Sequence, residues 1–149
     1  MKCIRIQPLS NPPKNQGDAR EWALAAALGV ERGRHDSKDY RHAADIEVGT
    51  RRISVKSGAL SLMSARFCEG ETTLEGIVGV YERTTYANEH AYITEDYRVF
   101  LMNAVEFRAF LLMFGRVGRE STKNGGGLKV KMSHETKKRV AWLEAQCAA

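Results

Sequence analysis

The segment from Ala44 to Lys56 constrains the fold more than any other stretch of the chain. It reads Ala-Asp-Ile-Glu-Val-Gly-Thr-Arg-Arg-Ile-Ser-Val-Lys, two alternating runs around a Gly49-Thr50 turn. Period-two alternation is the pattern of a strand with one buried face, and Gly at the first turn position suits a type II′ hairpin. Side chains alternate across a strand. Ile46, Val48, Ile53 and Val55 therefore form an apolar stripe suited to a core, while Asp45, Glu47, Ser54 and Lys56 share the other face. A two-residue change of register leaves these faces intact.

Around this hairpin the chain alternates element types. Residues 1–8 alternate like a short edge strand or arm, and a loop follows at 10–16, marked by Pro12-Pro13. The Ala/Leu-rich stretch from Asp18 to Leu28, with Gly29 after it, predicts a helix. Residues 31–42 are densely charged and predict an exposed loop. Beyond the hairpin come a short helix over Ser57 to Arg66, strands over Gly76 to Arg83 and Tyr97 to Met102, and an apolar helix over Ala104 to Phe114. A basic, glycine-rich loop runs from Arg116 to Gly127, then a strand from Leu128 to Met132 and a helix capped by Ser133 and running to about Gln146. No repeat or linker divides the chain, and Gly125-Gly126-Gly127 reads as a loop tip. The order implies one α/β domain over 1–149, a central mixed sheet flanked by helices.

Composition narrows the class of partner. The 149 residues carry 23 Lys and Arg against 18 Asp and Glu, a net charge of +5, which favours a polyanion such as nucleic acid. Cys3, Cys68 and Cys147 are odd in number and share no CxxC spacing, so they read as reduced thiols rather than a metal knuckle or a disulfide framework. His35, His42, His90 and His134 lack metal spacing and read as surface residues. Trp22, Trp142 and the Phe107, Phe110, Phe114 series read as core. No apolar run approaches the ~20 residues that span a bilayer, and the N-terminus has no apolar signal region, so a cytoplasmic protein with no membrane partner is expected. Arg116, Arg119, Lys123, Lys129 and Lys131 suit a phosphate backbone, or equally a solvated loop. Lys137, Lys138 and Arg139 read as a solvated helix face.

The polar face of the hairpin carries the chemistry. Carboxylates grouped like Asp45 and Glu47 bind hard divalent cations such as Mg²⁺ or Mn²⁺, and such a metal activates water for attack on a phosphodiester. Lys56 beside them would orient the water or stabilise charge on phosphate. A solvated face with cross-strand ion pairs has the same pattern. Asp45 followed by Ser54-Val55-Lys56 resembles the PD-(D/E)xK nuclease superfamily, the restriction-endonuclease-like fold. That resemblance implies a core ordered helix, three strands, helix, strand, with Asp45 and Glu47 on metal, Lys56 catalytic and Glu21 supporting from the first helix. Two positions depart from the pattern. Ala44 stands where the namesake proline would, and Ser54 stands where the second acid would and cannot replace a carboxylate on metal. The resemblance thus implies a metal-dependent DNA endonuclease or nuclease subunit, with Glu47 standing in for the missing acid. The alternative it implies is an inactive nuclease fold that binds, as a DNA-binding accessory subunit or a phage or mobile-element protein that blocks a host nuclease. At this length a sequence-specific enzyme would work as a homodimer or beside a partner protein.

Overall fold

A computed structural model describes residues 1–30, 44–62, 70–119 and 127–148. Within them the order is β1 (Lys2–Arg5), α1 (Gln16–Ala27), β2 (Ile46–Val48), β3 (Arg51–Ser57), β4 (Leu60–Leu62), α2 (Leu74–Thr84), β5 (Glu89–Ile93), β6 (Arg98–Met102), α3 (Ala104–Phe114), β7 (Arg116–Arg119), β8 (Leu128–Met132) and α4 (Lys137–Ala148). Five strands form a mixed sheet in the order β1-β6-β5-β3-β2, and β4-β8-β7 form a second, three-stranded sheet. Only β3 and β5 run parallel in the larger sheet; its other pairings are antiparallel. The expected mixed sheet with helices is therefore present, with β1 at one edge as its alternation predicts.

Each face of the larger sheet has its own core. Toward α1 the strands turn Ile46, Ile53, Ala91, Ile93, Val99 and Leu101, which pack with Ala23, Leu24 and Ala25. Toward α2, α3, α4 and the second sheet they turn Tyr92, Phe100 and Met102, which pack with Ile77, Val78, Phe107, Phe110, Leu111, Val130 and Leu143. Local chemistry sets the helix starts. The Asn15 side chain accepts from the Asp18 N–H at 3.0 Å, and Thr73 does the same for Gly76 at 3.0 Å. Asn103 and Glu106 form a reciprocal capping box on α3. The hairpin turn has Gly49 at φ 60° and a negative φ at Thr50, as a type II′ turn requires.

Several expectations are corrected. Residues 76–83 are not a strand but the body of α2, whose buried Ile77, Val78 and Tyr81 recur at helical spacing. The helix expected over Ser57 to Arg66 is absent from its described part, where Ser57 ends β3 and Leu60 begins β4. Residues 63–66 lie outside the described residues, as does the charged loop at 31–42. Strand β5 was not anticipated. The basic loop from Arg116 begins instead as strand β7, paired with β8. Ser133 does not cap α4, which starts at Lys137; the Thr136 hydroxyl accepts from the Arg139 N–H at 3.2 Å. Arg139 is no solvated residue either. It is 3% exposed, and its guanidinium donates to the Tyr92 hydroxyl and to the carbonyls of Gly58, Ser133 and His134.

Candidate functional site

The hairpin register keeps most of the expected faces. Ile46 stands opposite Ile53, Glu47 opposite Arg52 and Val48 opposite Arg51. Ile46 and Ile53 are buried, and Val48 and Val55 are half-buried. By alternation Glu47, Arg52, Ser54 and Lys56 share the opposite face. Asp45 breaks the rule. Its N–H donates to the Ile53 carbonyl at 2.9 Å, so Asp45 and Ile46 both stand against Ile53, two residues against one as in a β-bulge. Parity no longer fixes its direction. Instead its Oδ2 accepts from the Val55 N–H at 2.6 Å. The carboxylate thus lies alongside β3, between Ser54 and Lys56 in sequence, where the next backbone acceptor of a longer hairpin would sit.

Under α2 the sheet carries a buried polar seam. The parallel pairing of β3 and β5 sets Ser54 beside His90 and Lys56 beside Tyr92. Ser54 is 8% exposed and His90 3%. The Tyr81 hydroxyl, coming down from α2, lies 3.4 Å from Nδ1 of His90. The imidazole ring lies flat on Phe107, with centroids 4.1 Å apart and planes 3° apart. Burial pushes the His90 pKa down to about 4, and the nearby Lys56 ammonium adds to the shift. The imidazole is therefore neutral at pH 7. Burial also raises the Tyr81 phenol; hydrogen bonding with Thr85 and Ser54 opposes the shift, and the negative charge of Asp45 adds to it. Asp45, Ser54, Lys56, Tyr81 and His90 are thus electrostatic neighbours. His90 was expected at the surface, and neither it nor Tyr81 was singled out. Both depended on elements that the alternation of the chain did not reveal.

The remaining expected residues are dispersed. Glu47 is exposed, and its carboxylate hydrogen-bonds the Tyr86 hydroxyl, which raises that phenol's pKa. The Arg52 guanidinium covers the same Tyr86 ring at 4.7 Å. Glu21 sits on α1, the helix that covers the apolar side of the sheet. Among the described residues no three His, Cys, Asp or Glu side chains are grouped closely enough to hold a metal ion. Asp45, bonded to the Val55 N–H, is a carboxylate held one residue along the strand from Lys56, and Mg²⁺ needs only one or two carboxylates when waters and phosphate complete its shell.

A separate basic row lies on the second sheet. Arg116 pairs with Lys131, and Gly118 with Lys129, so Arg116, Lys129 and Lys131 share one face. The Lys131 stem lies across Gly118, where any Cβ would run into it. Val117 and Val130 turn to the core side. Arg119, opposite Leu128, falls by alternation on the face away from the row, and Lys123 lies outside the described residues.

No helix among the described residues is long and apolar enough to cross a membrane. Compared with models of known protein families, with curated proteins and with solved structures, the chain matches none.

Proposed function

We propose that this chain is a metal-dependent DNA endonuclease, or a subunit of one, built on a restriction-endonuclease-like core. The observation that carries the proposal is the bond from the Val55 N–H to Asp45, which brings the first motif acid against the Ser54-Val55-Lys56 segment from ten residues away in sequence. The order α1, β2, β3, β4, α2, β5 runs helix, three strands, helix, strand, which supports it in sequence order, although β4 pairs in the second sheet. Asp45 would hold Mg²⁺ or Mn²⁺, with Glu47 joining only by leaving Tyr86. A metal bound there would lower the pKa of its water and so supply hydroxide for attack on the phosphodiester. Lys56 orients that water or meets charge developing on the phosphate. Arg116, Lys129 and Lys131 hold the DNA backbone, a contact that weakens steeply with salt as counterions return.

The test is cleavage of supercoiled and linear DNA with Mg²⁺, Mn²⁺ or chelator. Wild type should cut only with metal. Asp45→Asn and Lys56→Ala should abolish cutting while DNA binding persists, with thermal unfolding confirming that each variant is folded. Glu47→Gln separates two versions of the site: full activity would remove Glu47 from it and leave Asp45 in place. A second reading has its own observation. Ser54 replaces the second acid and is closed over by α2, as a fold that binds without cutting would tolerate. DNA binding with no cleavage under any metal would establish that reading in place of the first.

A further inference from the structure

Cys3 and Cys147 are 144 residues apart in sequence, yet the fold brings them together. In the pairing of β1 with β6, Cys3 stands opposite Phe100. Phe100 belongs to the core on the α3 and α4 side, so Cys3 rises from that same face. Cys147 lies in the last turn of α4 and packs against that core. Strand β1 touches α4, Cys3 is close enough to Cys147 to perturb its ionisation, and both thiols are free. Cys3 is exposed and Cys147 half-buried.

We propose that Cys3 and Cys147 form a reversible intramolecular disulfide, with Cys3 as the thiol that meets a hydroperoxide and Cys147 as the thiol that resolves it. The division follows from exposure. Oxidants reach Cys3, while burial, reinforced by the neighbouring Cys3, holds the Cys147 thiol above its ordinary pKa and keeps it a poor first nucleophile. In the first step the Cys3 sulfur attacks the peroxide. An S–O bond forms, the O–O bond breaks, and water or an alcohol leaves with the thiol proton, giving a sulfenic acid. In the second step the Cys147 sulfur attacks the Cys3 sulfur. The S–S bond forms, the S–O bond breaks, and water leaves with the Cys147 proton. The two electrons that reduce the peroxide come from the two sulfurs, and a small dithiol restores both thiols.

The bridge would close nearly the whole chain into one loop and pin the edge strand β1 to α4. The proposal is independent of the nuclease reading, since neither cysteine belongs to that site. The test uses the full chain as Cys68→Ser, so that only these two thiols remain. Treatment with stoichiometric hydrogen peroxide should remove two hydrogens from the intact mass, leave no titratable thiol, and yield a Cys3–Cys147 cross-linked peptide. The oxidised form should melt higher and return to the reduced midpoint with dithiothreitol. Adding Cys147→Ser should abolish the bridge and leave Cys3 to gain oxygen instead. Three results would overturn the proposal: two thiols still titrating, oxygen added at Cys3 while Cys147 is present, or a disulfide only between chains.

Discussion

Under α1 the five-stranded sheet presents Ile46, Ile53, Ala91, Ile93, Val99 and Leu101, all aliphatic, with the Arg51–Glu89 ion pair on the same side of the strands. Under α2 and α3 the same strands present Ser54, His90 and Tyr92 among aromatic rings. Both faces exclude water, yet the hydrogen-bonding groups of the α1 side are the partly exposed Arg51 and Glu89, while Ser54 and His90 on the other face are buried. Burying a hydroxyl or an imidazole costs free energy unless it finds a partner, so an apolar filling would serve stability at least as well. The α2 face keeps a connected set instead, Tyr81 to His90 and Tyr81 to Ser54, next to Lys56 and Asp45. The difference teaches where to look for chemistry: the α1 face has a packing role, and the α2 face holds groups at fixed distances and protonation states.

The largest expected effect lies on the aliphatic face. Leu24, fully buried on the inner side of α1, should cost about 2–5 kcal/mol as Leu24→Ala, measured by urea unfolding. That loss should be equal at pH 7 and pH 5; a loss that changes with pH would break the contrast between the faces. The next effect belongs to His90 alone. Its folded pKa of about 4 lies below the ordinary 6.5, so the unfolded chain takes up a proton that the native state refuses. Its contribution is complete above pH 6.5 and is lost as pH falls toward 4, by about 3 kcal/mol over that window. The stability difference between wild type and His90→Gln should shift by that amount between pH 7 and pH 4, and a constant difference would remove His90 from the polar seam. Asp45→Ala leaves the Val55 N–H without its acceptor and should cost about 1–3 kcal/mol, with faster hydrogen exchange at Val55. Asp45→Asn keeps an acceptor and should cost less. The smallest effect is Tyr81→Phe, about 1 kcal/mol, since packing on Phe107 survives the loss of the hydroxyl. A cost near that of Leu24→Ala would mean that the seam supports the fold as much as the site.

The hairpin was legible because two physical rules coincide there: alternation set the faces of Ile46, Ile53, Ser54 and Lys56, and glycine supplied the positive φ of the turn. Asp45 was legible as a residue but not in direction, because a bulge is a local shift in pairing that period-two counting cannot register. Helix α2 was misread because Gly76-Ile77-Val78-Gly79-Val80-Tyr81 is rich in β-branched and aromatic residues. The helical signal needed Leu74, which with Ile77, Val78 and Tyr81 completes the i, i+3, i+4, i+7 series. The same misreading hid Tyr81 from the site. His90 escaped because Glu89-His90-Ala91-Tyr92-Ile93 has no clean alternation: a central strand buried on both faces needs none. Arg139 looked solvated among Lys137 and Lys138, yet helical spacing turns it inward toward four oxygens, a direction that only tertiary packing supplies.

The parallel pairing of β3 with β5 has a consequence in time. The β2–β3 and β5–β6 hairpins and α3 join residues close in sequence and can form within microseconds. Ser54 meets His90 only after a closure across 35 intervening residues, and Lys2 meets Leu101 only after one across 98. Such long closures are slow because their entropy is lost before any contact compensates for it. The proximity of Ser54, Lys56 and His90 is therefore expected late in folding, after the local hairpins and helices have formed.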